Sequence, residues 1–386
     1  MTRCGYRGVS VVLPDRAFFI HIMPTSTKGG RWDMYRKRWR ALRRELEGSR
    51  AKAFVVQNPH NIRYLCCSHL YTAAPPTYLV ISKDSGTTAI TSWLESNRTR
   101  SECEVDRLSI WGNLPGKRAD GKRAVLALKK ALRELRAGSV LVDKKVDGLP
   151  GVRQKASGAV EKLRAVKDDS ELALIRRAAA IADAGARELP EMLRHRPTEL
   201  GVASELDYFL RSKGCQGVAF QTIVAAGPHS AFPHHDNQDF KIRDTSVICD
   251  FGVYVGGYCS DITRTFLVGK ADRRLSEAYE AVAAAVRAGT ALVRPGRPIR
   301  EVDLACRAAL RERRLEQYFV HSTGHGIGLE VHESPAAGPR SKDILRKGMV
   351  FTIEPGVYIP LLGGVRIEND VLVTATGAEV LTRSRF

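Results

Sequence analysis

The stretch VICDFGVYVGGYCSDITRTF, residues 247–266, sets two runs of strand-forming residues on either side of Gly256-Gly257. Adjacent glycines between such runs signal a two-residue hairpin. With the turn placed there, Asp250 falls opposite Thr263 and Asp261 opposite Gly252. Side chains alternate along a strand, so Asp250 and Asp261 share a face as diagonal neighbours, roughly 7–8 Å apart at the backbone. A one-residue slip would send them to opposite faces, so the inference hangs on the glycine turn. A second segment, FTIEPGVYIPLLGGVRIEND at 351–370, repeats the pattern. Glu354 and Glu368 are equidistant from Leu361, and a hairpin centred there sets them opposite each other. Arg366 shares the face of Glu368.

Strand faces that turn inward bury apolar residues. Unpaired carboxylates there would repel one another and cost several kcal/mol each, by rough magnitude. Divalent cations resolve that repulsion, and a histidine in range completes a ligand set. The alternative is a set of surface acids on exposed strand faces, which suits one acid better than two hairpins bearing two each. A histidine source lies nearby in the chain. HSTGHGIGLEVHE, residues 321–333, packs three histidines and three glycines into one short stretch. These histidines are incidental loop residues, ligands of one structural metal, or parts of a catalytic site with divided roles. Gly324, Gly326 and Gly328 are expected to let the backbone pass close to a metal and whatever binds beside it, where a Cβ would intrude.

Working outward, the chain's 386 residues, 44% hydrophobic, suffice for two domains with their own cores. Residues 1–30 form an extension of uncertain structure. Its apolar runs VSVVLP and AFFIHIM are separated by Pro14, Asp15 and Arg16, which speaks against a signal peptide. Residues 34–47 place Trp39, Leu42 and Leu46 on one helical stripe. Strands are expected at 51–57, 77–82, 87–92 and 139–143, with a helix over 122–138. Alternating strands and helices make residues 31–165 a smaller α/β domain, and it holds no catalytic constellation. Residues 166–386 form a second domain. Its first helix is expected to start at an Asp169 or Ser170 cap and end near Glu188, before Pro190. Further helices are expected between Thr198 and Gly214, over 272–289 and over 299–314. They pack against a largely antiparallel sheet, so the chain as a whole is α/β (α+β).

No apolar run approaches the eighteen or so residues of a membrane span. The 8 cysteines include no CxxC pair, and free thiols suit a reducing cytosol, so a cytoplasmic location is expected. The net charge of +19 raises nucleic acid or another acidic surface as a partner. The basic residues are scattered and no nucleic-acid motif accompanies them, which favours a solvated basic surface.

Asp250, Asp261, His325, Glu354 and Glu368, in the order D, D, H, E, E, resemble the ligand set of the pita-bread dinuclear metallopeptidases. The likeness is to Xaa-Pro aminopeptidases and Xaa-Pro dipeptidases (prolidases) in particular. FQTIVAAGPHSAFPHH, CDFGVYVGGYCSDITRTF, HSTGHGIGLEVHESP, FTIEPGVYI and GGVRIENDVLVT resemble that family's blocks in the right order. NIRYLC and the domain around it resemble a creatinase-type N-terminal domain. The resemblance implies that domain, followed by a catalytic domain whose curved, largely antiparallel sheet is covered by helices. It also implies two divalent metal ions, Mn²⁺ first, with Co²⁺ or Zn²⁺ as other options. Asp261 and Glu368 would bridge them, Asp250 would bind one, and His325 with Glu354 the other. A hydroxide shared by the metals would be the nucleophile, with Glu354 as general base. His234 and His332 would flank the scissile bond as stabilisers of the developing intermediate and as proton-transfer partners, and His321 would line the proline side. Arg366 would orient the bridging carboxylates from behind. His235 has no role in this scheme, and Cys249 and Cys259 face away from it.

The implied activity is release of an N-terminal residue that precedes proline. The closest rival is an Xaa-Pro dipeptidase, and a non-catalytic binder of nucleic acid or histones is a distant third. Peptides with proline second are the implied substrates, and a homodimer is the implied assembly.

Overall fold

Short apolar runs flanked by turn residues build the first half of the chain. The computed structural model describes residues 18–21, 29–66, 77–84, 86–112, 121–195 and 197–386; the rest of the expected N-terminal extension lies outside them. Two compact units divide between Val160 and Glu161.

In the first unit, Ala53–Val56, Tyr78–Ser82, Thr87–Ser92 and Ser139–Val142 form the strands that the sequence predicts. They belong to a mixed seven-stranded sheet that also includes Arg107–Trp111, Arg153–Ala156 and an edge strand, Phe18–His21. Helix Gly29–Glu47 buries the Trp39, Leu42 and Leu46 stripe. Helix Gly121–Glu134 covers the sheet with Ala124, Leu128, Ala131 and Leu132.

The second unit opens with helix Asp169–His195, and two expectations about it need correction. Its cap is Asp168, one residue earlier than expected: Oδ1 accepts the amides of Ser170 and Glu171, while Glu171 Oε2 accepts the amide of Asp168. This is a reciprocal capping box. The helix also runs through Pro190 instead of stopping before it. Pro190 faces solvent, while Leu189 and Met192 keep the apolar stripe buried, so packing outweighs the lost backbone bond. Helix Glu199–Ser212 starts as predicted, with Thr198 Oγ1 accepting the amide of Gly201. Arg273–Ala291 and Arg300–Glu312 complete the long helices of this unit.

The strand pairings of this unit are antiparallel. Thr245–Phe251 pairs with Ile262–Val268 in the predicted register, Asp250 opposite Thr263. Beyond a break at Gly252, Tyr254 faces Cys259, and the turn glycines Gly256 and Gly257 take φ of 57° and 82°. The second hairpin also keeps its register, with Ile353 opposite Asn369 and Gly356 opposite Arg366. Cys249 points into the apolar cluster behind the first hairpin, among Ala182, Leu206 and Phe251.

Next to Thr263 on the strand, but on its other face, Arg264 is buried and joins three segments. It donates to the carbonyls of Thr263, Glu368 and Ser384 and to Asn369 Oδ1, at 2.6–3.2 Å. Burial lowers its pKa to about 10. The amides of Arg383 and Ser384 in turn donate to Asp183, both at 2.7 Å.

Gly324 and Gly326 serve another purpose than the expected one. A Cβ on Gly324 would overlap the Thr352 carbonyl, and one on Gly326 the Ser334 carbonyl. Both atoms belong to neighbouring backbone, so these glycines let segments close on one another; they do not clear room for a ligand. Gly324→Ala should therefore destabilise the fold by about 1–3 kcal/mol, lowering Tm by roughly 2–12 °C. A melt indistinguishable from wild type would refute that account.

Candidate active site

The two hairpins and strand Gly324–Gly326 bring acids and histidine together. Asp261, His325 and Glu368 place one donor atom each within 4.8 Å of one another. Asp250 joins through the first hairpin. Glu354 lies with its Oε1 3.4 Å from His325 Nε2. The five sequence-predicted ligand residues therefore converge, as the paired registers require.

Their hydrogen bonding is incomplete in a telling way. Glu368 Oε2 accepts from Thr263 Oγ1 at 2.7 Å, and Asp250 Oδ2 takes Arg366 Nη2 at 2.6 Å. Asp250 Oδ1, Asp261 Oδ1 and Glu368 Oε1 are buried with no hydrogen-bond partner among the described residues. His325 Nδ1 lies 3.2 Å from the Gly326 carbonyl and donates to it, which turns the Nε2 lone pair toward the acids. Nε2 is 3.7 Å from Asp261 Oδ2. A lone pair facing carboxylate oxygens is repulsive unless a cation stands between them. The donor set fits divalent metal on these grounds.

The electrostatics agree. Burial first, and then Glu368 and Asp250, hold the Asp261 carboxyl well above its usual range. Burial, then Glu354 and Asp250, do the same to Glu368. Glu354 is pushed up to about 8, chiefly by burial, against the favourable charge of Arg366. His325 is lowered to about 4 by burial and by the neighbouring His332.

The remaining predicted residues surround this group. The His332 ring centroid is 4.1 Å from that of His325. His321 donates from Nδ1 to the Ser322 carbonyl, and its Nε2 is 2.8 Å from the Tyr358 hydroxyl. Burial above all lowers His321 to about 4; the charges of Arg366, Arg307 and His234 add to this. Burial and then His234 also depress His332. His234 itself is exposed, and the carbonyl of Pro233 beside it lies 3.3 Å from Arg366 Nη1. Arg366 donates to Asp250, the Tyr358 hydroxyl and the Pro233 carbonyl, and its Nε donates at 3.2 Å to Thr263 Oγ1, which in turn donates to Glu368, so it reaches one predicted bridging carboxylate through Thr263. A fork of donors satisfies the acid that needs a counter-charge at the rim, while Glu368 already has Thr263.

Several participants were missed in the sequence. Tyr358 accepts from Arg366 Nη1 and so donates to His321 Nε2. Alternation from Glu354 puts position 358 on the same face, which could have flagged it. Asp370 is buried and accepts the amide of Asp261 at 3.0 Å. Glu333, the neighbour of His332, meets Arg164 at 2.5 Å and Lys167 at 2.7 Å. Burial alone would raise Glu333, but these two cations outweigh it and hold its pKa below the usual value. His235, without a role in the sequence reading, points away from this site and meets Glu199.

Comparison with known proteins bears on this constellation. Residues 173–375 match the model of metallopeptidase family M24, and residues 38–166 match the creatinase/prolidase N-terminal domain. The chain is 39% identical over 232 residues to the Xaa-Pro dipeptidase of Pyrococcus furiosus; the match covers 60% of this chain and 67% of that protein. Curated relatives are covered over about 60% to 67% of their own length. Among solved structures, the Xaa-Pro dipeptidase from Bacillus anthracis superposes with a TM-score of 0.82 at 33% identity, over 91% of this chain and 98% of that one. An X-Pro aminopeptidase from Thermotoga maritima superposes at 0.75 and 29% identity, over 88% and 97%. Among the described residues, no helix is long and apolar enough to cross a membrane.

Proposed function

The chain belongs to metallopeptidase family M24, and from that premise we propose that it hydrolyses the peptide bond between an N-terminal residue and a following proline. The observation that carries the proposal is the convergence of Asp250, Asp261, His325, Glu354 and Glu368 with three buried oxygens left without partners. These five residues would hold two divalent cations. Oxygen-rich ligands with a single imidazole favour a hard ion, so Mn²⁺ is the proposed metal, ahead of Co²⁺ or Zn²⁺. When bound, such a pair supplies Lewis acidity and makes water acidic enough to react near neutral pH.

The side chains divide the remaining work. Glu354 takes the proton from the attacking water and returns it to the proline nitrogen as the C–N bond breaks. His332 and His234 donate hydrogen bonds to the substrate and to the charge that develops on the scissile carbonyl oxygen. His321, kept neutral and oriented by Tyr358, forms the wall beside the proline ring. Arg366 fixes Asp250 and, through Tyr358, His321. The free thiols Cys215, Cys249, Cys259 and Cys306 suit a reducing compartment, so the cytoplasm is the proposed location.

Substrate length is the finer question. The sequence alone favours an aminopeptidase. The names of the relatives shift the proposal to a dipeptidase, with the Thermotoga maritima structure keeping the aminopeptidase as the second reading. Assays of Xaa-Pro dipeptides and Xaa-Pro-Xaa tripeptides with Mn²⁺ separate them. Dipeptides are expected to show the higher kcat/KM; a preference for tripeptides makes the enzyme an aminopeptidase. Activity that survives complete metal removal would overturn the metal-dependent mechanism altogether.

A further inference from the structure

The described residues contain a second cluster of metal-ligand type, Glu199 with His229 and His235, whose donor atoms also lie within 4.8 Å of one another. Its polar accounting is the opposite of the active site's. Glu199 is fully buried, and both oxygens are filled. Oε1 accepts from the amide of Ala226 at 2.8 Å and lies 3.0 Å from His229 Nδ1. Oε2 accepts from the amide of Gln238 at 3.0 Å and lies 2.8 Å from His235 Nε2. No oxygen is left over for a cation, so this is a closed hydrogen-bonded knot. Glu199 also opens helix Glu199–Ser212, where the helix dipole favours a negative charge.

What the knot encloses is informative. Ala226 ends a strand, Gln238 lies beyond His235, and one carboxylate holds both ends of the segment between them. That segment carries His234. The side chain of His235 is 5% exposed and turned toward Glu199, while its neighbour His234 is exposed and its charge contributes to lowering the pKa of His321 and His332. Two further anchors flank it. Asn237 accepts the amide of Val224 and donates to the Thr222 carbonyl, both at 2.7 Å, and Arg366 Nη1 reaches the Pro233 carbonyl at 3.3 Å. The only charged side chain among these anchors, apart from Arg366, is Glu199.

We propose that Glu199 is a positioning residue for His234: by clamping His235 and both ends of residues 226–238, it fixes the exposed imidazole against the scissile bond. This rests on the substrate-contacting role of His234 given above. A charged acceptor satisfied by four donors resists displacement far more than a neutral side chain would. A shift of about 1 Å in a catalytic group costs on the order of 100-fold.

A double-mutant cycle on the Mn²⁺-loaded full chain tests it, with kcat and KM for an Xaa-Pro substrate as readouts. Glu199→Gln is expected to lower kcat by about 10- to 100-fold, with metal content unchanged. In the His234→Ala background the same substitution should cost less than about twofold, because nothing remains to be positioned. Should Glu199→Gln fail to fold, His235→Phe serves in the same cycle, since it keeps the ring and removes the N–H. Equal losses in both backgrounds would overturn the positioning role and leave the peptidase reading intact. No loss in His234→Ala alone would remove the role of His234, and this proposal with it. A third metal ion per chain that disappears in Glu199→Gln would also overturn it.

Discussion

Glu354→Ala is expected to lower kcat for an Xaa-Pro substrate by about 10²–10⁴-fold, the span of one positioned acid–base group. The residue sits where its Oε1 reaches both His325 Nε2, at 3.4 Å, and the Thr352 hydroxyl, at 3.3 Å. Its backbone is held independently, since the Glu354 amide donates to Thr323 at 2.7 Å, so the loop should survive truncation. Cys249→Ala is the matched control. It neighbours Asp250 in the chain but points into the apolar core. Its kcat should stay within about twofold, with a stability cost of about 1 kcal/mol. Comparable losses of kcat in both variants would mean that the strand faces had been assigned the wrong way round.

Removing metal is expected to cost stability as well as activity. A ligand that binds only the folded chain adds RT ln(1 + [L]/Kd), about 4 kcal/mol at a thousandfold excess over Kd. For a catalytic unit of this size that corresponds to a fall in Tm of roughly 8–16 °C on chelation. The effect should shrink in acid, because protons compete with the cation for the same carboxylates. The metal-free protein behaves in the complementary sense. Glu354, Asp261 and Glu368 are held above their unfolded values, so their contribution is fully present in acid and is lost as pH rises, for Glu354 through about 8. Thermal melts with and without chelator at pH 5 and pH 8 measure both trends. A chelator-insensitive Tm at pH 8 would refute the account of these acids as cation ligands.

The hairpin registers were legible because Gly256 and Gly257 fix one turn, and the symmetry of residues 351–370 about Leu361 fixes the other. Period-two alternation then placed Asp250 and Glu354 on the correct faces. What alternation reports is a face, not the element across from it. Hence Arg366 was assigned to the correct side without its grip on Asp250, and Tyr358 and Asp370, on readable faces, went unnoticed. Pro190 misled for a related reason: local propensity marks a stop, but Leu189 and Met192 bury enough apolar surface to carry the helix past it. Gly324 and Gly326 were recognised as needed for close approach, yet the approaching atoms are the Thr352 and Ser334 carbonyls. Glu199 had no signal of its own, since a glutamate at the start of a helix is ordinary until its four donors are known.

Arg264 carries a consequence for biosynthesis. The guanidinium behind the ligand-bearing strands is satisfied by carbonyls from residues as far apart as 263 and 384. Until residue 384 has been made, the ribosome-bound chain would bury that charge with acceptors missing. Closing so long a loop is slow, because chain entropy is lost before the distant contacts reward it. The ligand-bearing strand therefore reaches its buried, fully paired state only together with residue 384.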